Sequence, residues 1–380
     1  MTSVYVVVPA GVHDPTRPSG GNVYDRRVCR GLAEAGWIVH ELEAAGSWPS
    51  ADGVARSALP AVVARVPDGA LVLLDGLIAS TVPDILAAER DRLRLVVVVH
   101  MPLGVGSVAH DSEGPECLVE TREREHAALS AASAVLTTSS WTRDWLLDRY
   151  GLASDRVHVA EPGADPADLV AGTPAGSALL CVATVTPGKG HDLLPAALAT
   201  LTDLPWTCVC AGSMERDPGF ADGLVRQALD SGIGDRVRFV GPLGRADLDA
   251  VYARADALVL ASRAETYGMV VPEALARGIP VITTSVGGLP EALGWTQDRR
   301  PGLLVPPDDT AALADALRRW LTDADLRRRL RQDARERRGT LAGWESTTAR
   351  VARVLAAAAR TEPAMAGTAD FVPLEPDPAG

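Results

Sequence analysis

Along the chain, short apolar runs alternate with segments whose apolar positions recur at helical spacing. The runs fall at residues 3–9, 37–42, 71–74, 93–99, 134–139 and 157–161, and then at 178–184, 207–211, 236–240, 257–261, 279–283 and 303–305. Helical periodicity occupies 22–35, 53–65, 82–90, 117–131, 140–151, 245–255, 269–276, 310–321, 324–338 and 344–359, with a further helix starting near 192. Strands and helices alternating in this way predict βαβ units and parallel sheets. The run VVVV at 96–99 is β-branched and unalternating, the pattern of a strand buried on both faces. The stretch 166–177, rich in Ala, Gly, Pro and Asp, breaks the rhythm and predicts a linker between a first domain, 1–165, and a second, 178–343. Residues 361–380 are proline-rich and aperiodic, which predicts a disordered tail.

Composition narrows the classes. A chain of 380 residues suits two domains of ordinary size. Its net charge of −12 disfavours nucleic acid as a partner and offers no bulk basic surface to anionic lipid. Five cysteines without a C-x2-C pair predict reduced, mostly buried thiols rather than a disulfide framework or zinc site. No leader pattern or membrane-length apolar run occurs, so a cytoplasmic protein without an integral membrane segment is expected. Arginine is used almost everywhere a cation is needed, and Lys189 is the single lysine. A lysine kept against that background is a candidate for work arginine does not do.

The chemistry concentrates at 257–293, ALVLASRAETYGMVVPEALARGIPVITTSVGGLPEAL. A strand feeds a small-residue turn, Thr266-Tyr267-Gly268, and then a helix beginning near Met269 and Val270. Unpaired backbone N–H groups and the helix dipole make such a turn an anion site. Glu265 precedes the turn and Glu273 lies within the helix, so the two could flank a ligand whose phosphates rest between them. Carboxylates beside phosphates serve to grip hydroxyls, which points to a phosphate-plus-sugar ligand. Lys189, in the turn T-P-G-K-G at 186–190, stands at the carboxyl end of the second domain's first strand, where an ammonium can neutralise a diphosphate. His100 ends the central strand of the first domain and should face the crevice where open α/β sheets bind ligands. The first loop ends in Gly20-Gly21 but carries no G-x-G-x-x-G, which disfavours a nicotinamide or flavin. Ser140 is the expected cap of the next helix, in which Arg143 could reach the cleft. Glu120, Glu123 and Glu125, and the arginine-rich helix 324–338, are expected to be solvated faces.

The run ETYGMVVPEALARGIPVI, the later GGLPE, the K-G pair at 189–190 and the P-G-A-D closing the first domain resemble the family 4 retaining glycosyltransferases of the GT-B fold. The resemblance runs from the double-glycine loop to the last helix. It implies two Rossmann-like domains facing each other across a deep cleft, with the helix at 344–360 crossing back to the first domain. It implies transfer of a hexose from a nucleoside diphosphate sugar, UDP-sugar preferred and GDP-sugar possible, with retained configuration, no metal and no further cofactor. On this reading the amides of Tyr267, Gly268 and Met269 hold the diphosphate with Lys189, flanked by Thr266 and Val270. Glu273 takes the ribose hydroxyls and Glu265 those of the sugar. Gly212 and Leu243 flank the base and ribose. Gly20 and Gly21 let donor and acceptor approach the backbone, His100 lies near the sugar and β-phosphate, and Arg143 is on the acceptor side. The chain departs from the family at Thr184, where an arginine clamp is expected, and Arg263 is the candidate replacement. The acceptor is read as a small soluble molecule, and a homodimer is left open. The alternatives are another GT-B enzyme such as an epimerase or phosphorylase, a non-catalytic sugar-nucleotide-binding protein and, remotely, a dehydrogenase.

Overall fold

Two six-stranded parallel sheets carry the chain, each wrapped by helices. They are seen in a computed structural model that describes residues 2–14, 19–49, 52–105 and 115–360. The expected disordered tail and the loop at 15–18 lie outside the described residues. The first sheet is built from β1 (Ser3–Pro9), β2 (Ile38–Ala44), β3 (Leu71–Asp75), β4 (Arg94–Val99), β5 (Ala134–Thr137) and β6 (Val157–Val159), in the order β2-β1-β3-β4-β5-β6. The second comprises β7 (Ala178–Val182), β8 (Thr207–Ala211), β9 (Val237–Gly241), β10 (Ala257–Leu260), β11 (Val281–Thr284) and β12 (Gly302–Val305), in the order β12-β11-β10-β7-β8-β9. Strand order reverses between β1 and β3 in one sheet and between β7 and β10 in the other. Crevices outside the carboxyl ends of parallel strands open at such reversals. The Lys189 and Glu265 loops leave β7 and β10, so the topology puts them side by side.

The central strands obey their sequence pattern. Val96, Val97, Val98 and Val99 are all buried, with alternate residues entering the cores on opposite faces of the sheet. The Trp344–Ala358 helix contributes Val351, Val354, Leu355 and Ala358 to the first domain's core beside Val4, Val6 and Val28. At about 1.5–3 kcal/mol for each large aliphatic side chain buried, this face is enough to hold the crossing helix on the first domain. Its start is locked by close approach: a side-chain carbon at Gly163 would lie 2.3 Å from Trp344 N. The glycine of the P-G-A-D run is therefore a packing requirement.

Four local expectations change. The first helix begins at Gly20, because Ser19 takes the extended cap conformation and accepts from Asn22 N at 3.0 Å. Ser139 rather than Ser140 caps the Ser140–Tyr150 helix, by the same geometry. Glu125 is no surface acid: it is fully buried and accepts from Leu103 N and Gly104 N at 2.9 Å and from Tyr150 Oη at 2.7 Å. Those bonds fix the turn that follows His100. In the arginine-rich Ala324–Arg338 helix, Arg327 is buried against the Trp320 and Leu321 carbonyls, and Arg331 pairs with buried Asp256 at 2.8 Å. One face of that helix anchors the linker rather than meeting water.

Candidate active site

In the second domain the chain leaves β7 through Thr184 and a tight turn at Pro187–Lys189, and leaves β10 through the Arg263–Met269 segment. The two loops are stitched together: Gly188 O accepts from Arg263 N at 2.9 Å and from Ala264 N at 3.2 Å. Lys189 Nζ lies 2.6 Å from Glu265 Oε2, and Glu265 Oε1 accepts from Thr266 N at 3.2 Å. The lone lysine and Glu265 thus meet across the strand-order reversal. The GGLPE segment supports them from behind. Gly287 has φ +55, and a side-chain carbon there would fall 1.7 Å from Glu265 O. Only glycine permits that backbone contact. Gly288 N also donates to Glu265 O, at 3.0 Å.

Tyr267 is buried in the core of the domain, which fixes the turn Thr266–Gly268–Met269 from below. Glu273 lies in the Val270–Ala276 helix and accepts from Tyr252 Oη at 3.0 Å. Burial raises its carboxyl above the usual carboxylate range, against the opposing pull of Tyr252, Arg277 and Arg245. Around the other strand ends, Gly212 N donates to Gly241 O at 2.9 Å, and a side-chain carbon at Gly212 would lie 1.9 Å from Ala183 O. Thr184 and Gly212 are therefore neighbours, while Leu243, just beyond β9, is half-buried.

Arg263 does not occupy the place of a second phosphate clamp. Its two terminal nitrogens reach Asp192 Oδ1 and Oδ2 at 2.7 Å each, one of them also donates to Pro187 O at 2.7 Å, and Nε contacts Asp308. A guanidinium with four donors committed to protein groups is a strut for the Lys189 turn. Arg143 likewise leaves the cleft. Its donors go to Val157 O at 3.0 Å and Ser154 O at 3.3 Å, at the amino end of β6, whereas the crevice lies at the carboxyl ends.

The first domain brings His100, Gly20 and Gly21 to the facing wall. A side-chain carbon at Gly21 would lie 3.2 Å from His100 Cδ2, and one at Gly20 would lie 3.5 Å from Met269 Sδ. The glycine pair therefore threads between the histidine and the signature turn. Two carboxylates that motif reading missed complete this wall. His100 Nε2 is 2.9 Å from Asp25 Oδ1 and 4.0 Å from Asp75 Oδ2. Burial opposes charging the ring, but Asp25 and Asp75 outweigh it and raise His100 to about 9. Burial, reinforced by Asp25, raises the Asp75 carboxyl to about 7. The available signals were faint: Asp75 closes β3 at the reversal, and Asp25 follows the double glycine by one helical turn.

A third missed residue is Glu291 of GGLPE, whose carboxylate crosses the cleft to accept from Ser140 N at 2.8 Å and Trp141 N at 3.2 Å. It meets the exposed donors at the start of a first-domain helix. Asp165, from P-G-A-D, joins Arg27 of the first domain to Arg245 of the second. Among the described residues, His13, Glu41 and Glu43 form one surface group with ligand atoms within 4.8 Å of one another, and Asp25, Asp75 and His100 form another. In each group the histidine shares a hydrogen bond with one carboxylate, His13 with Glu41 and His100 with Asp25. No helix among the described residues is long and apolar enough to cross a membrane.

Comparison with known proteins agrees with this geometry. Residues 176–337 match the family model "Glycosyl transferases group 1". The chain is 34% identical over 247 residues to a D-inositol 3-phosphate glycosyltransferase from Frankia alni, a match covering 60% of each protein. It thus spans about 60% of the length of such curated relatives. Among solved structures it resembles sucrose-phosphate synthase from Thermosynechococcus elongatus, with TM-score 0.77 and 22% identity over 94% of this chain and 99% of the other. It also resembles Anabaena HepE in complex with UDP-glucose, with TM-score 0.74 and 16% identity over 94% and 100% of the two chains. Residues 176–337 therefore resemble the group 1 glycosyltransferases, and the two Rossmann-like domains of this chain together adopt the GT-B fold.

Proposed function

We propose that this chain is a retaining family 4 glycosyltransferase that moves a hexose from a nucleoside diphosphate sugar to a small soluble acceptor. The carrying observation is the 2.6 Å contact between Lys189 and Glu265, made where strand order reverses inside the group 1 domain. In this reading the diphosphate lies on the amides of Tyr267, Gly268 and Met269, beside the Lys189 ammonium, and needs no metal to balance it. Glu273 accepts from the ribose hydroxyls and Glu265 from hydroxyls of the sugar, each charge-assisted bond contributing about 1.5–3 kcal/mol. Gly212, Leu243 and Thr184 flank the base and ribose, with the first domain, 1–165 plus 344–360, on the acceptor side.

The sugar–oxygen bond to the diphosphate breaks while the acceptor oxygen bonds the same anomeric carbon from the same face. The departing phosphate oxygen takes the acceptor proton, so no protein nucleophile is required. Stabilising the leaving group is then the main catalytic task. A thermal-shift panel of UDP-, GDP-, ADP- and dTDP-sugars, uridine first, followed by release of nucleoside diphosphate from the best donor, tests the reading. Stabilisation by none of the four would remove it.

A further inference from the structure

The proposed leaving group is a diphosphate, and the second domain meets it with one lysine where a lysine and an arginine were expected. Thr184 carries no charge, and Arg263 is committed to Asp192, Asp308 and Pro187 O. A candidate for the second charge stands across the cleft. His100, Asp25 and Asp75 come from three elements of the first domain: the end of β4, the Gly20–Glu34 helix and the end of β3. Their side chains are 11%, 7% and 2% exposed. Both carboxylates approach the same ring nitrogen, and Asp75 Oδ1 is otherwise occupied, accepting from Leu77 N at 2.6 Å. Asp25 Oδ2 is buried and has no protein partner.

Two buried carboxylates beside a neutral imidazole would leave at least one anion uncompensated, an arrangement worth several kcal/mol to avoid. Protonating the ring removes most of that cost, because attraction to both carboxylates favours the charged form. Tyr24 also touches the ring, edge-on at 5.2 Å, but its hydroxyl is turned away and donates to Ala160 O. No other charged side chain among the described residues is drawn into the electrostatics of this ring. The cation lies close to the donor turn, since Gly21 packs on the His100 ring and Gly20 packs on Met269.

We infer that Asp25 and Asp75 are positioning residues that keep His100 as an imidazolium facing the leaving diphosphate, so that the first domain supplies the site's second cation. The inference rests on the glycosyl-transfer reading for the identity of the anion, but the protonation state can be measured without it.

The test is a titration of imidazole-labelled full-length protein by NMR, with His100 identified among the seven histidines by its loss in His100→Gln. His100 is expected to titrate near pH 9 in the wild type. Asp25→Asn should lower that midpoint by about one unit or more, and Asp75→Asn by less, in line with the longer contact. UDP affinity, measured by calorimetry from pH 7.5 to 9.5, lies above the phosphate's own ionisation near pH 6. It should fall about threefold by pH 9.5, the part of a tenfold loss that the His100 titration completes in this window, tenfold being the scale of one charge-assisted bond. The fall should move to lower pH in Asp25→Asn.

A wild-type midpoint at or below that of free histidine would overturn the inference, whatever the enzyme does. So would a high midpoint accompanied by UDP affinity that stays flat across this range. These two wild-type measurements decide the question even if a variant fails to fold. Failure of every nucleoside diphosphate to bind at any pH is a different result, and would remove the functional reading instead.

Discussion

Replacing Lys189 by alanine removes the one lysine ammonium of the chain, and the structure sets the size of the effect. The lysine is 30% exposed and its partner Glu265 16%, so neither is free in water and neither is in a dry interior. At an effective dielectric of about 20, two unit charges about 4 Å apart interact by about 4 kcal/mol. Removing one preorganised stabilising group from an active site costs about 2.7–4 kcal/mol, or a factor of about 10²–10³ in rate. A second effect adds to the first. Without Lys189, Glu265 retains only the Thr266 amide and becomes an uncompensated anion beside the diphosphate. The loss should therefore lie toward the upper end, and Lys189→Ala/Glu265→Gln should recover part of the UDP affinity lost in Lys189→Ala. Nucleoside diphosphate release under saturating donor, paired with calorimetry of UDP, reads both quantities. Turnover within about threefold of wild type, less than 1 kcal/mol by the tenfold-per-1.4 kcal/mol rule, would refute the assignment of Lys189 to the leaving group.

Three further outcomes are expected. Glu273→Ala should weaken UDP binding by about tenfold or more, since on the proposed reading a buried acceptor of ribose hydroxyls is lost; equal affinity for UDP by calorimetry would separate Glu273 from the donor. Gly287→Ala should destabilise the second domain by about 2–4 kcal/mol and abolish donor-induced thermal stabilisation, because the new methyl collides with Glu265 O at φ +55; an unchanged melting temperature would show that the contact relaxes. Arg263→Ala should lower the melting temperature and reduce turnover by about tenfold at most, as expected of a strut losing a bidentate pair. A loss as deep as that of Lys189→Ala at unchanged stability would return Arg263 to the phosphate.

The order of strands and helices was legible because hydrophobic periodicity is local, and a buried parallel strand such as Arg94–Val99 needs an apolar run wherever it lies. The strand, turn and helix around 266–269 were legible for a related reason: Glu265, Gly268, Glu273 and Gly287 sit within one continuous stretch, so their spacing survives in the linear text. Tertiary structure alone decided the partners. Arg263 reads as a free cation in the sequence, and only folding brings Asp192 and Asp308 around it. Glu125 looks like one of three surface acids until packing buries it against two loop amides and Tyr150. Asp25 and Asp75 carry no motif, and they become part of the site because β1, β3 and β4 are neighbours and their carboxyl ends share an edge. Periodicity and motif spacing record what a segment demands of its own backbone. The charge state of His100 and the fate of each arginine depend on groups tens of residues away in the chain, whose distances are set by strand order and burial.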